Sequence, residues 1–248
     1  PTCTLAAPQG GVTVRGRRLA QAENRLRQLN LEARLDNQQR GVIDRKASGI
    51  QAGDTALGTL QANGKGDARR QALTLTLNGP QLKLDLGLDG QLDKDDWRGR
   101  LASGRIQAGG QDWQLQAPAR LQRLASGQVD FGAHCWRSGQ ASLCGDDQRL
   151  APEPRLRYHL KRFPLESLAQ WMPKDFAWQG LLNADVALDV PKAGPSGQIS
   201  IDAGGGTLRV RDKQQWLDFP YRTLRLTSSL TPKRVDSRLE FDGERLGR

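Results

Sequence analysis

Aromatic residues are scarce in this chain: six Trp, five Phe and two Tyr among 248 residues, or 5%. Such rings fill most thick cores because each buries a large area, so their scarcity argues against a compact two-layer interior. Long apolar runs are also missing. No stretch reaches the roughly 18 apolar residues that a membrane-spanning helix needs, and no signal peptide is visible. There is no initiator Met, and the ends, Pro1-Thr2-Cys3 and Arg245-Leu246-Gly247-Arg248, fall in mid-pattern. The chain is therefore expected to be a piece of a longer protein.

The chemistry of catalysis is equally thin. There are two histidines, His134 and His159. His159 falls on the polar side of its strand. His134 adjoins Cys135, but a Cys–His nucleophile needs a free thiolate. Asp93, Asp95 and Asp96 lack the Gly and Glu of a calcium loop, and Asp146-Asp147 read as turn residues. No Gly-x-Ser-x-Gly, P-loop or dinucleotide fingerprint occurs. No catalytic residue, metal site or cofactor is expected, and the chain does not read as an enzyme.

Charge is plentiful and unbalanced, at +10 with a pI near 10.1. Basic clusters stand at Arg15-Arg17-Arg18, Arg69-Arg70 and Arg155-Arg157-Lys161-Arg162. Nucleic acid would require a continuous basic stripe with aromatics set for stacking, or a reading helix. Here acids are interleaved and aromatics fall on apolar positions, so nucleic acid is not an expected partner. A solvated face is the simplest reading, with attraction to anionic headgroups as a secondary role. Leu, Ile, Val and Phe together reach 22%, just above the roughly 20% typical of disordered chains. Their ordered placement excludes disorder for most of the chain.

That placement is alternation. In Gln71–Gly90, Leu73, Leu75 and Leu77 precede an Asn78-Gly79-Pro80-Gln81 connector, and Leu82, Leu84, Leu86 and Leu88 follow it. Leucine alone favours helix, but a helix turns 100° per residue and would scatter a period of two around its surface. Period two belongs to a strand with one apolar face, and the stretch predicts a hairpin. The same texture runs along the chain. Val12-Val14 and Leu29-Leu31-Ala33-Leu35 precede the hairpin; Arg17–Leu26, open to helix or strand, is read as strand, and Gly49–Gly66 as a glycine-punctuated meander. After it come Trp97-Gly99-Leu101, Ile106-Ala108, Trp113-Leu115-Ala117, Leu121–Leu124, Val129-Phe131-Ala133 and Leu156-Tyr158-Leu160. Further on lie Leu182-Ala184-Val186-Leu188-Val190, Ile199-Ile201-Ala203, Leu208-Val210, Trp216, Leu224-Leu226-Leu230 and Val235-Leu239-Phe241. The pattern breaks once, at Phe163–Pro173. Leu165, Leu168, Ala169 and Met172 have helical spacing, Pro164 suits a first helical position and Pro173 a stop. A short amphipathic helix of about two to three turns is predicted near 164–172, serving as a lid on the apolar faces or a cap on a sheet end, with Trp171 and Trp178 flanking its end.

Nearly every strand is one-sided, and only one helix is available as cover. A sandwich or barrel would bury the faces against each other; a solenoid would stack them inward; an open curled sheet would leave them lining a groove. The few aromatics and missing helices favour the last, although alternation by itself is ordinary for a sheet core. Of the three cysteines, Cys135 and Cys144 bracket CWRSGQASLC, two half-strands around Ser138-Gly139. Eight residues separate them, too many for a zinc knuckle. A disulfide is favoured over two free buried thiols, and with it an oxidising compartment; Cys3 is left over.

From about Gln128 onward the chain resembles the C-terminal part of the TamB family, which belongs with the AsmA-like bridge proteins of Gram-negative bacteria. The features are Cys135-Trp136 with Leu143-Cys144, then Phe163-Pro164-Leu165, Leu168 and Met172-Pro173 before Gly180-Leu181-Leu182. The run Pro195–Ile201, continuing through Gly206–Val210, completes them. Residues 1–127 match only in texture. The resemblance implies one continuous segment over 1–248: an all-β, elongated, taco-like curled sheet with a hydrophobic interior, in the periplasmic part of an inner-membrane-anchored protein. It implies transfer of phospholipid acyl chains toward the outer membrane and assembly of outer-membrane proteins or autotransporters with TamA, a barrel partner. A periplasmic chaperone or scaffold role in that assembly is the alternative. It carries the family's disulfide onto Cys135 and Cys144. It turns the alternating residues into candidate groove lining: Leu73, Leu75, Leu77, Leu82, Leu84, Leu86, Leu88, Leu101 and Ile106 first. Trp113, Leu115, Val129, Phe131, Leu156, Tyr158, Leu160, Leu182, Val186 and Leu188 follow. Ile199, Ile201, Leu208, Val210, Leu224, Leu226, Leu239 and Phe241 complete the set.

Overall fold

A computed structural model of the chain describes residues 10–21, 24–35, 40–53, 55–67 and 69–243. Cys3 lies outside them, as do the side chains of Arg17 and Arg18. The described elements are 19 strands and one short helix, the all-β class that the alternation predicts. In chain order the strands are β1 (Gly10–Gln21), β2 (Asn24–Leu35), β3 (Gly41–Ala52), β4 (Thr55–Gly66), β5 (Gln71–Asn78), β6 (Leu82–Asp93), β7 (Asp96–Ala108), β8 (Gln111–Leu115) and β9 (Ala119–Arg123). There follow β10 (Val129–Phe131), β11 (His134–Ser138), β12 (Ala141–Gly145), β13 (Gln148–Ala151), β14 (Arg155–Pro164), the helix (Leu165–Trp171), β15 (Phe176–Asp189), β16 (Ser196–Asp202), β17 (Gly206–Asp212), β18 (Gln215–Thr231) and β19 (Arg234–Gly243). No helix among the described residues is long and apolar enough to cross a membrane. The chain divides into two compact units: the residues up to Ala108 with Pro118–Ala125, and Gly109–Ala117 with Ser126 onward.

The first unit is an antiparallel meander from β1 to β7, with β9 laid along β7. Its centre is the predicted hairpin, in which Leu73 faces Leu88, Leu75 faces Leu86 and Leu77 faces Leu84. The connector is one residue shorter than expected, because Asn78 still pairs with Lys83 and Gly79 N–H donates to Leu82 O at 2.9 Å. Of the stretch Arg17–Leu26, residues 17–21 end β1 and 24–26 open β2, and residues 22 and 23 lie outside the described residues. One irregularity matters. Gly87 faces Ser103 while Leu88 faces Leu101, leaving Ala102 unmatched. Strict alternation would put Leu101 and Ile106 on opposite faces; the extra residue returns both to one face.

In the second unit β8, β11, β12, β14 and β15 are laddered in turn. The 14-residue β15 then serves two neighbours, with β16 along Asn183–Asp189 and β17 along Phe176–Gly180. The 17-residue β18 rejoins both, and β19 follows. Cys135 sits directly opposite Cys144, with Cα atoms 4.1 Å apart, and the two form the expected disulfide. The turn between them is Gly139-Gln140, one residue later than the midpoint suggested, with Gly139 in the left-handed region (φ 54°).

The helix is where predicted but differs in kind. It is a 3₁₀ helix over Leu165–Trp171, and Pro164 is an extended N-cap and the last residue of β14, rather than the first helical residue. Both ends are forced by proline: Met172 precedes Pro173 and is held extended (φ −93°, ψ 155°), as a residue before proline must be. Seven residues between such ends suit the tighter turn. Three residues per turn align Leu165, Leu168 and Trp171 on one edge.

Candidate functional site

Residues directly opposite in an antiparallel ladder share a face, so the register shows what each apolar face contains. In the first unit one row reads Val12, Ala33, Ile43, Gly64, Leu73, Leu88, Leu101 and Ala119. A second reads Leu29, Ala47, Leu60, Leu77, Leu84 and Ile106. Between them Val14, Leu31, Ala62, Leu75 and Leu86 form a third, interrupted by one cation, Arg45. Leu82 faces Ala108 beyond the second row. Thus all nine candidates of this unit lie on one face. Leu101 and Ala119 are buried, but Val12, Ile43 and Leu73 in the same row are 55, 41 and 40% exposed, and the remaining hairpin leucines are half-buried. No helix lies among the described residues of this unit.

One end of this face carries a feature not anticipated as lining. Gly41 faces Gly66, Gly66 faces Gln71, Gln71 faces Gly90 and Gly90 faces Gly99. Trp97 lies against two of these glycines: a Cβ on Gly90 would come within 2.5 Å of its ring, and one on Gly99 within 2.6 Å. Its indole Nε1–H donates to Gln71 Oε1 at 2.8 Å. Beside it a concavity of about 430 Å³ is lined by Ile43, Leu73, Leu88 and Trp97, with Lys65, Asp67 and Gln71 among its polar members. The signal was present, since Gly90, Trp97 and Gly99 share the hairpin's parity, but glycines are silent in an apolar count.

The second unit has a matching face. One row crosses eight strands: Leu115, Trp136, Leu143, Leu160, Ala184, Ile201, Leu226 and Leu239. Tyr158, Val186 and Ile199 form the next row, ending on Ser228 and Ser237, whose hydroxyls lie 2.9 Å apart. Leu156 and Leu188 lead a third, through Gly197 to Leu230 and Val235. Trp113 reaches this face by stacking on Phe163 (6.3 Å between centroids), and Phe131 by stacking on His134 (4.1 Å). His134 is buried, with Nδ1 2.9 Å from Gly132 O and its ring edge-on to Tyr158. Burial also raises the Tyr158 hydroxyl above its ordinary pKa. For Val129, on β10, the register shows no place in these rows. Val210, Leu239 and Phe241 are exposed.

The short helix lies on this face. Leu165 is fully buried with Ala203 and Tyr221, and Leu168, Trp178, Leu182, Leu208 and Leu224 pack around them. Trp178 Nε1–H donates to Tyr221 Oη at 2.7 Å, and burial raises the Tyr221 pKa. Leu182, Leu208 and Leu224 therefore lie under the helix, where they belong to a local core. Gln111 Nε2 donates to Ser167 Oγ at 2.6 Å. Exposed Trp171 rests against Gly109, where a Cβ would meet its ring at 2.4 Å.

The opposite faces are charged and paired across strands. Arg100 holds Asp89, Arg225 holds Asp202 at 2.7 Å and Arg209 holds Asp218 at 2.7 Å. His159 sits between Asp185 (2.6 Å from Nδ1) and Asp146 (3.6 Å from Nε2). Its pKa is raised, first by the Asp185 hydrogen bond. No group of three His, Cys, Asp or Glu side chains able to hold a metal occurs among the described residues. One side of each unit is thus apolar and the other charged.

A family model described as TamB, N-terminal domain, matches residues 2–248. The match corrects the expectation that resemblance begins near Gln128 and concerns the family's C-terminal part. The first unit lies within the matched range as well; its polar, glycine-rich strands offered no short motif by which to be noticed. No solved structure matches the chain.

Proposed function

The chain belongs to the TamB family of outer-membrane biogenesis proteins, and from that premise we infer that its apolar faces form part of a groove for phospholipid acyl chains moving between the inner and outer membranes. The observation that carries this reading is the uncovered face of the first unit, where Val12, Ile43 and Leu73 stand exposed in one row. A monomer seldom leaves such a patch open without a ligand or partner. Each acyl methylene withdrawn from water onto it is worth about 0.8 kcal/mol. Headgroups would stay at the polar rim, where Lys65, Asp67 and Gln71 border the concavity beside Trp97. The same reading puts the chain in the periplasm as a segment of an inner-membrane-anchored protein, with TamA as the outer-membrane partner. The Cys135–Cys144 disulfide suits that oxidising compartment. No cofactor and no catalytic residue enters the scheme.

A scaffold for outer-membrane protein or autotransporter strands is the second reading. It draws on β19, which ladders to β18 on one side and exposes Val235 and Leu239, a surface suited to strand addition. Arg at Leu84 or Val186 separates the two. A photoreactive phospholipid should crosslink to the wild-type chain and fail to crosslink to folded L84R and V186R. Undiminished lipid crosslinking in folded variants, with peptide strands captured on β19, would sink the groove and favour the scaffold.

A further inference from the structure

The first unit has a second concavity that the apolar groove does not explain. It has a volume of about 1150 Å³ and lies toward the end of the sheet that carries the β4–β5 loop. Its cationic strand side chains occupy polar-face positions. Arg34 faces Val42, Val42 faces Lys65, Lys65 faces Ala72, Ala72 faces Asp89 and Asp89 faces Arg100, a line across six strands. Arg98 adds to it from β7, and Arg69 and Arg70 from the loop.

Seven cationic side chains line the cleft against one carboxylate, Asp89. That carboxylate is fully engaged: Arg100 Nε donates to its oxygens at 2.9 and 3.1 Å, and Nη2 donates at 3.1 Å. Arg34 pairs with Glu32, and Arg98 with Asp96 at 3.0 Å. Lys65, Arg69 and Arg70 make no ion pair among the described residues. The loop that presents the last two is ordered by its own bonds. Asp67 Oδ1 accepts the backbone N–H of Arg69 at 2.7 Å and of Arg70 at 2.9 Å, and Asp67 N–H donates to Arg70 O at 2.9 Å. Gly66 enters the loop at φ 142°, where a Cβ would meet Arg70 O at 2.0 Å.

We propose that this cleft binds an anion carrying two or more phosphate groups on a polar frame. Clustered like charges repel one another while the cleft is empty, and an anion relieves that cost. Guanidinium forks match phosphate oxygens in geometry and charge. The volume exceeds what a single phosphate fills and reaches the upper end of small-molecule sites. No aromatic side chain lines the cleft, so it offers no platform for stacked bases. The cleft adjoins the concavity beside Trp97, sharing Gly41, Lys65, Gly66, Gln71 and Ala72 with it, whereas Arg69 and Arg70 line the cleft alone, so binding of soluble phosphates through those two arginines tests the site apart from the acyl-chain reading.

Two sources share this chemistry, a soluble polyphosphorylated molecule and the diphosphate headgroup of an anionic lipid. The test uses the full chain, calorimetric titration with pyrophosphate and with myo-inositol hexakisphosphate, and flotation with phosphatidylcholine vesicles with or without cardiolipin. R69Q/R70Q is compared with an equally neutralised variant of exposed residues in the second unit, R155Q/K161Q, after circular dichroism shows both folded. Wild-type binding should fall steeply between about 50 and 200 mM salt. The cleft variant should weaken it on the order of 10- to 100-fold, and the control less than about two-fold. A response to soluble phosphates assigns a free ligand, and a response to cardiolipin vesicles alone assigns a headgroup. Absence of wild-type binding to every probe, or equal losses in the two variants, overturns the proposal.

Discussion

Replacing Leu165 by Ala asks whether the short helix is a separable cover on the second unit's apolar face. Leu165 is fully buried, in a cluster with Ala203, Tyr221, Leu168, Trp178 and Leu182. Truncation at such a site costs roughly 3 kcal/mol or more, from lost transfer energy and the cavity left behind. Beyond this cluster, Trp171 rests against Gly109 and little else holds the helix. No side chain caps its N-terminus. Its other ties are the Gln111–Ser167 hydrogen bond and a long one, 3.4 Å, from Gly180 N–H to Glu166. The loss should therefore fall on helix docking before it falls on the ladders, and about 3 kcal/mol raises the open fraction roughly 100-fold. Hydrogen exchange read by mass spectrometry reports this directly. Peptides spanning Leu165–Trp171 should exchange on the order of 100-fold faster in L165A, while β18–β19 keeps its protection. Binding of an apolar fluorophore should rise as Leu182, Leu208 and Leu224 are uncovered. Wild-type exchange in the helix, or uniform loosening of the whole unit, would refute the separable cover.

Two further outcomes follow from the second unit. Serine at both Cys135 and Cys144 opens a loop with a sequence separation of 9; chain-entropy reasoning puts the loss near 2.7 kcal/mol. Urea unfolding followed by tryptophan fluorescence should show the midpoint fall, and an unchanged midpoint would mean the hairpin holds its own register without the crosslink. His159 has its pKa raised above 6.5 by Asp185 and then Asp146. Its contribution is thus complete below pH 6.5 and is lost as pH rises through the raised folded value. For so exposed a pair the effect stays under about 1 kcal/mol. Wild-type stability should decline slightly from pH 6 to pH 8 relative to H159Q, and parallel curves would remove the pair from the account.

Much of the fold was legible because strand alternation is a local property. Leu73, Leu75 and Leu77 were read as one apolar face of a hairpin with Leu82, Leu84, Leu86 and Leu88, and the hairpin forms; its register, Leu77 opposite Leu84, came from the pairing itself. Prolines at 164 and 173 marked the helix limits, although their closeness made it 3₁₀. The cysteine spacing led to the observed crosslink. The extent of family membership was under-read, since short motifs lie only in the second unit while the match runs over 2–248.

Pattern along the chain, then, determined which residues form strands and which side of each strand is apolar, because period two is written residue by residue. Tertiary pairing alone decided what those sides meet. The unmatched Ala102 brings Leu101 and Ile106 to one face, β15 splits between β16 and β17, and the helix settles on Leu182, Leu208 and Leu224. Arg34, Lys65, Arg98 and Arg100 are far apart in sequence, yet they share one cleft. Each depends on register accumulated across several strands, and no local window of sequence contains that sum.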